Sequence, residues 1–298
     1  MMGDGEKVTD VDSLLLASAK AGSAEQATLD AVRDVLAEDG AVEVALTSER
    51  AGLDAALDVR GGRRLVLAGG DGSLHVLVER LRKRGELSDV PVGLVPLGTG
   101  NDFARHLELP LDPAEAARAI LTGRPRRLDV LRSDRGGGVV VNAVHLGKGA
   151  EAAERSGALK HRLGKLAYPL GAVASVFGPR GWRLHVNVDD EVLSDGEHRV
   201  VMVAIGNGSS IGGGTPIFPA ADASDGALDV LVLGPGGSGA TGTGGQPFRL
   251  MRRGRGRAVT VTPAPGVTVG VNADGELSEL NRRRSWWVDP AAWSVICP

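Results

Sequence analysis

Between residues 13 and 122 short apolar runs alternate with segments of helical periodicity, and beyond about residue 126 that alternation stops. Buried strands separated by helices imply a parallel sheet covered on both faces. Strands are expected at 13–18, 42–47, 63–68 and 91–96, with helices at 23–40, 49–59, 73–84 and 112–122. The later segments LDVLRS, GVVVNAVHL, WRLHVNVDD, HRVVMVAIGN, GALDVLVLG, RAVTVTP and GVTVGVNADG read as strands joined by turns, with one helix at 157–177. The expected fold is therefore an N-terminal doubly wound parallel-sheet α/β domain, residues 1–126, followed by an all-β sandwich domain, residues 127–298. The last residues are allowed to return to the first domain.

Composition narrows the function classes. A net charge of −3 and a pI near 6.1 give no general reason to bind nucleic acid. The single cysteine, Cys297, excludes an internal disulfide and suits a reducing compartment. The start, MMGDGEKVTDVDS, lacks the basic and apolar regions of a signal peptide. The longest candidate membrane stretch, YPLGAVASVF at 168–177, falls far short of the ~20 apolar residues a spanning helix needs. A cytoplasmic protein is expected, at most peripheral at the inner face of the membrane.

Two glycine-rich segments follow expected strands, where an open α/β sheet places its ligand. In LVLAGGDGS, Gly69, Gly70 and Gly72 strip the turn of side chains, and successive N–H groups before a helix make an anion site. Ser73 can cap that helix or contact phosphate. Asp71 is repelled by phosphates unless a cation lies between, or unless it handles a proton, which suggests Mg²⁺ and phosphoryl transfer. A tight strand–helix turn with Asp71 as a cap is the plainer alternative. In PLGTGNDFAR, Gly98 and Gly100 strip a second loop, Thr99 offers a hydroxyl, and Asn101 and Asp102 sit at an expected helix start. LGKGA around Lys148 has no following Ser or Thr, so it is not a P-loop; no G-x-G-x-x-G follows a strand, and no zinc-ligand cluster exists.

GGDGS together with PLGTGNDFAR resembles the diacylglycerol kinase catalytic family, which includes bacterial lipid kinases and sphingosine and ceramide kinases. LGKLAYPLGAV, IGNGSSIGGGTPIFPAADASDGALDV and VNADGEL follow in that family's order, so the resemblance spans nearly the whole chain. It implies an ATP- and Mg-dependent lipid kinase acting on a diacylglycerol-like lipid presented at a membrane surface. Gly70, Asp71, Gly72, Ser73 and Thr99 then correspond to ATP-binding positions, and Thr47 of TSERAG to a further nucleotide contact. Asp225 of the SDGALD stretch resembles a structural magnesium ligand, with the carbonyls of Asp222 and Ala227 as partners. Glu276 of the DGE turn corresponds to the general base, with Asp71 assisting at the metal, the γ-phosphate or the proton. Read without the resemblance, both D-G pairs are ordinary turns. A soluble small-molecule or NAD kinase, and a non-catalytic nucleotide- or lipid-binding relative, are the alternatives.

The chain departs from the family in two places. Its first strand runs into SAKAG at 18–22, where the family has N-P-x-[SA]-G, so Ser18 and Gly22 are left to hold phosphate. Residues 234–247 are Gly/Ser/Thr-rich and precede FRLMRRGRGR, where many members place amphipathic helix. Its arginines (Arg249, Arg252, Arg253, Arg255 and Arg257) suit either anionic headgroups or a solvated basic loop. Lys160, Arg162 and Lys165 invite the same two readings. The N-G-S at Asn207 matches a glycosylation acceptor that a cytosolic protein would not use.

Overall fold

The computed structural model describes residues 12–19, 23–47, 50–135, 138–147, 181–211, 214–235 and 248–298. The helix expected at 157–177, most of the Gly-rich stretch, Gly22, Lys148, Lys160, Arg162 and Lys165 lie outside them. The chain divides into two compact units. One comprises Met1–Gly98, Leu107–Arg126 and Ser294–Pro298; the other comprises Thr99–His106 and Arg127–Trp293.

The first unit is built on β1 (Ser13–Ser18), β2 (Val42–Thr47), β3 (Arg64–Gly69) and β4 (Val92–Pro96). They lie parallel in the order β2-β1-β3-β4, and Val295 near the chain end pairs parallel with Val92. Alternation along the strands sends Leu15, Ala17, Val66, Ala68 and Val95 to one face. There they pack with Leu29, Val32, Val35 and Leu36 of α1 (Ser23–Leu36) and Ala116, Ala117 and Ile120 of α5 (Pro113–Thr122). α2 (Arg50–Asp58) packs on β2 and on α3 (Asp71–Arg84), and α3 packs on β3.

Helix ends differ from the sequence expectation for local reasons. α1 ends at Leu36 rather than Gly40, because Glu38 and Asp39 donate to Val35 and Leu36 three residues back and tighten the last turn. α3 begins at Asp71, two residues early: Gly70 is extended, and its carbonyl accepts the first helical bond, from Leu74 N–H at 3.0 Å. At the other end Gly85 adopts φ 73°, and its N–H and that of Glu86 close the helix onto the carbonyls of Arg82 and Leu81.

The second unit carries an antiparallel sheet in the order β14-β13-β10-β7-β16-β17, formed by Phe248–Gly256, Leu228–Pro235, Met202–Gly206, Ala143–Gly147, Val269–Ala273 and Glu276–Leu280. A second antiparallel run joins β8 (Trp182–Val188) to β9 (Glu191–Val200) on one side and to β15 (Ala258–Pro263) on the other, and β15 to residues 284–287 of β18 (Arg284–Cys297). Their inner faces share one core. Val144, Leu146, Val203, Ile205, Val230 and Val271 from the first sheet meet Leu184, Val186, Val259, Val261 and Trp286 from the second run. This is the expected sandwich. Also in this unit are β5 (Arg124–Ser133) from Arg127 onward, β6 (Val139–Val140), and the short helix α4 (Asp102–His106).

The arginine-rich segment 248–257, whose arginines the sequence left to either anionic headgroups or a solvated basic loop, is mostly strand β14. It pairs antiparallel along the whole of β13, with a register shift between Val232 and Leu233. Its pattern is masked because Gly254 and Gly256 stand where a Cβ would come within 2.7 Å of Leu193 and 2.3 Å of Asp189. Exposed arginines on the last strand of a sheet discourage pairing with another chain. Among the described residues no helix is long and apolar enough to cross a membrane.

Candidate active site

The first unit brings several of the expected residues to one edge of its sheet. Ser18 and Thr47 are register partners at the ends of β1 and β2, and Thr47 Oγ1 lies 3.5 Å from the Ala17 carbonyl. Gly69 and Pro96 are register partners at the ends of β3 and β4, and Leu97 N–H donates to the Gly69 carbonyl at 3.1 Å. Parallel register therefore gathers Ser18, Thr47, Gly69, Gly70, Asp71 and Gly98 at the carboxyl ends of the strands.

The glycines of this turn have different causes. At Gly69 a Cβ would sit 2.8 Å from Ser73 Cβ, so the residue is bare to let β3 turn into its own helix. At Gly72 a Cβ would meet nothing within 4 Å, which leaves open space over the first turn of α3. The N-cap residue, Gly70, has no side chain to cap that helix, and the partial positive charge of a helix start favours an anion. This arrangement fits the phosphates of a nucleotide.

The remaining expected residues lie in the second unit: Thr99, Gly100, Asn101, Asp222, Asp225, Ala227 and Glu276. Asn101 is buried with φ 51°, a left-handed conformation that asparagine tolerates better than most residues. Its carbonyl accepts Arg105 N–H at 3.0 Å and opens α4. The Asp102 carboxylate reaches beyond the helix, accepting Ser210 Oγ–H at 3.1 Å and Gly214 N–H at 2.6 Å. His106 Nδ1 lies 3.1 Å from Ser209 Oγ, and Ala223 N–H lies 3.2 Å from its Nε2. Ser210 in turn accepts Asn142 Nδ2–H on its carbonyl at 2.8 Å.

Asn142 leads to the DGE turn. The Asp274 carboxylate accepts the N–H groups of Val141, Asn142 and Ala143 at 2.5, 3.1 and 3.0 Å. Asp274 and Gly275 both have positive φ, 49° and 96°, and Gly275 N–H is held by Asn272 Oδ1 at 2.8 Å. Two left-handed residues in a two-residue hairpin match the strand twist. They leave Glu276 exposed at the first position of β17. One polar network thus runs from α4 through Ser209, Ser210 and Asn142 to the turn that carries Glu276.

None of the partners in this network was legible locally. Asn142, His106, Asp274 and Asn207 act on segments far away in sequence. Asn207 is buried and donates Nδ2–H to the carbonyls of Asp129 and Val141 at 3.1 and 2.8 Å. The N-G-S match is thus a buried structural asparagine. Gly208 is bare because a Cβ there would lie 2.1 Å from Asn142 Oδ1. His145 on β7 has a buried ring Nδ1 with no hydrogen-bond partner, although the residue as a whole keeps some exposure. Burial pushes its imidazole down to about 4, against the opposing pull of Asp274 and Asp102.

The residues expected to hold structural magnesium are engaged among themselves. Asp225 Oδ1 accepts Ala227 N–H at 3.0 Å, and its Oδ2 is ion-paired with Arg255. Asp222 Oδ1 accepts Ser224 N–H and Oγ–H at 3.0 and 2.6 Å, and the Asp222 carbonyl receives Asp225 N–H at 3.4 Å. The buried Asp129, unremarked in the sequence, clamps the same turn by accepting Gly226 N–H and Ala291 N–H, both at 2.7 Å. Among the described residues no group of three or more His, Cys, Asp or Glu is arranged to hold a metal. With Oδ1 accepting Ala227 N–H and Oδ2 paired with Arg255, both Asp225 carboxylate oxygens already have partners within the chain.

Comparison with known proteins bears on the whole chain. Residues 12–133 match the diacylglycerol kinase catalytic domain, and residues 142–240 match the YegS C-terminal NAD kinase beta sandwich-like domain. A Pseudomonas aeruginosa (strain PAO1) protein named "Probable lipid kinase YegS-like" is 35% identical over 247 residues, 80% of this chain and 78% of that protein. A Stenotrophomonas maltophilia protein of the same name is 36% identical over 174 residues, 57% of this chain; the chain spans about half the length of that relative, 55%. A crystal structure of a diacylglycerol kinase from Bacillus anthracis superposes with a TM-score of 0.69 at 19% identity, covering 97% of each chain, a likeness of fold. A diacylglycerol kinase catalytic match over the α/β unit, a YegS-type sandwich match after it, and a relative sharing four-fifths of the chain agree with the motifs now in place: the chain belongs to the YegS-like lipid kinase family.

Proposed function

We propose that this chain transfers the γ-phosphoryl group of ATP to a hydroxyl group of a diacylglycerol-like lipid. The observation that carries the reading is the polar network of the second unit. It ties the Thr99–His106 segment to the Asp274–Glu276 turn, so the two motifs that most distinguish lipid kinases are held by shared hydrogen bonds.

Each unit then has its task. In the first, the glycine-capped start of α3 and the open space at Gly72 receive phosphate oxygens, with Ser18, Thr47 and Gly98 at the neighbouring strand ends. Thr99, Gly100 and Asn101 supply the nucleotide contacts of the second motif. Asp71 is the residue that would hold a magnesium ion accompanying the nucleotide, which would supply charge neutralisation at the transferring phosphoryl group. Glu276, an exposed carboxylate on a turn fixed by Asp274 and Asn272, accepts the proton of the attacking lipid hydroxyl. Oxygen attacks phosphorus, the bond to the nucleoside diphosphate breaks, and the released diphosphate leaves the first unit.

The test uses purified protein, magnesium, γ-labelled ATP and a total bacterial lipid extract, with Asp71→Ala as control. Label in the organic phase that disappears in the variant supports the reading. Label confined to the aqueous phase points to a soluble acceptor. Nucleotide binding with no transfer to any lipid refutes catalysis.

A further inference from the structure

The acidic turn before β13 already holds a cation of the chain's own. Asp222, Asp225 and Asp229 crowd one short segment, and Gly226 within it has φ 74°. Strand β14 places Arg255 directly opposite Asp229 in register. From there its guanidinium pairs with Asp225 Oδ2, and its Nε lies 3.8 Å from Asp229 Oδ2.

We propose that Arg255 serves as a built-in counter-ion for the Asp225–Asp229 turn, so that this chain neither needs nor takes a structural divalent cation there. A guanidinium and Mg²⁺ make incompatible demands on the same carboxylate. Magnesium wants near-octahedral oxygen ligands at about 2.0–2.1 Å, and it repels a fixed positive charge beside it. Here Asp225 Oδ1 already accepts Ala227 N–H, Oδ2 is paired with Arg255, and the Asp222 carbonyl receives Asp225 N–H at 3.4 Å, so the guanidinium takes the side of the carboxylate that a cation would approach. The backbone geometry that a metal would otherwise impose is supplied by Asp129, which fixes the turn through Gly226 N–H and also holds Ala291 N–H. The inference does not depend on the kinase reading, because it concerns a turn stabilised by charge rather than the reacting atoms.

The experiment is thermal unfolding of the full chain without nucleotide, stripped of metal and then titrated with millimolar magnesium at constant ionic strength. The parent midpoint is expected to stay put. Arg255→Ala leaves the acidic turn without a counter-ion. Its midpoint should drop by no more than about 3 °C, since a half-exposed ion pair contributes little, and it should then rise saturably with magnesium. Adding Asp225→Asn to that variant should abolish the rise. Arg255→Lys keeps the charge and should remain insensitive to magnesium, which preserves the test if the alanine variant folds poorly. A saturable magnesium-dependent rise in the parent that Asp225→Asn removes would overturn the proposal. So would an Arg255→Ala protein with an unchanged midpoint and no response to magnesium. Both readouts are independent of phosphoryl transfer, so failure here and failure of the kinase reading are told apart.

Discussion

Truncating Asp274 is the most informative single perturbation of the Glu276 turn. Its carboxylate accepts three backbone N–H groups, and the residue itself sits at φ 49°. Val141 and Ala143 are buried, so Asp274→Ala orphans two donors that water reaches poorly, while the less buried Asn142 can be re-solvated. Each orphaned donor costs about 1–2 kcal/mol. Alanine at a left-handed position adds roughly 1 kcal/mol, giving about 3–5 kcal/mol in all. Asp274→Gly loses the same acceptor without the conformational strain and should cost about 2–4 kcal/mol. Asp274→Asn keeps Oδ1 for Asn142 and Ala143 and sacrifices only the bond to Val141, at about 1–2 kcal/mol. All four tryptophans, Trp182, Trp286, Trp287 and Trp293, belong to the second unit, so tryptophan fluorescence in a urea titration reads this unit. The midpoints should fall in the order Asn, Gly, Ala with unchanged slope. Phosphoryl transfer by Asp274→Gly should drop at least about tenfold under conditions where it remains folded, because Glu276 loses its fixed turn. An Asp274→Ala protein less than about 1 kcal/mol below the parent would refute the claim that this carboxylate organises the turn.

Other outcomes follow from the same structure. Glu276→Gln, at an exposed position, should leave the urea midpoint within about 0.5 kcal/mol of the parent while turnover falls by about 10²–10⁴; near-normal turnover would remove Glu276 as the base. His145 is held neutral when folded, down to about 4, so the unfolded chain binds the extra proton first as pH falls. Its contribution to stability is therefore complete above about pH 6.5 and lost toward pH 4, with a slope of up to about 1.4 kcal/mol per pH unit. His145→Gln should flatten that slope in urea midpoints measured across the window, and an unaltered slope would assign it to other groups. Gly123→Ala would bring a Cβ within 2.4 Å of the Cys297 carbonyl and 2.6 Å of the Ala119 carbonyl, at a cost of about 1–3 kcal/mol. Gly62→Ala, where a Cβ meets nothing within 4 Å, is the control expected to unfold like the parent.

The residues themselves determined the element order, the change from α/β to β sandwich, and both glycine-rich motifs. Periodicity and turn chemistry are local, and strand ends such as Gly69-Gly70 are visible within a few residues. The end of α1, the start of α3 and strand β14 escaped that reading. Capping bonds decided the first two, and pairing with β13 overrode a segment rich in glycine and arginine. Tertiary structure alone decided that Thr99–His106 joins the second unit. It alone made Asp129, Asn142, Asn207 and Asp274 acceptors or donors for backbone groups tens of residues away or more. It alone set Arg255 against Asp225, across a strand register that no short window contains. For the buried groups among these the physical reason is the same. A buried polar group must find a partner, and which partner is nearby depends on how the chain is folded rather than on which residues stand beside it in sequence.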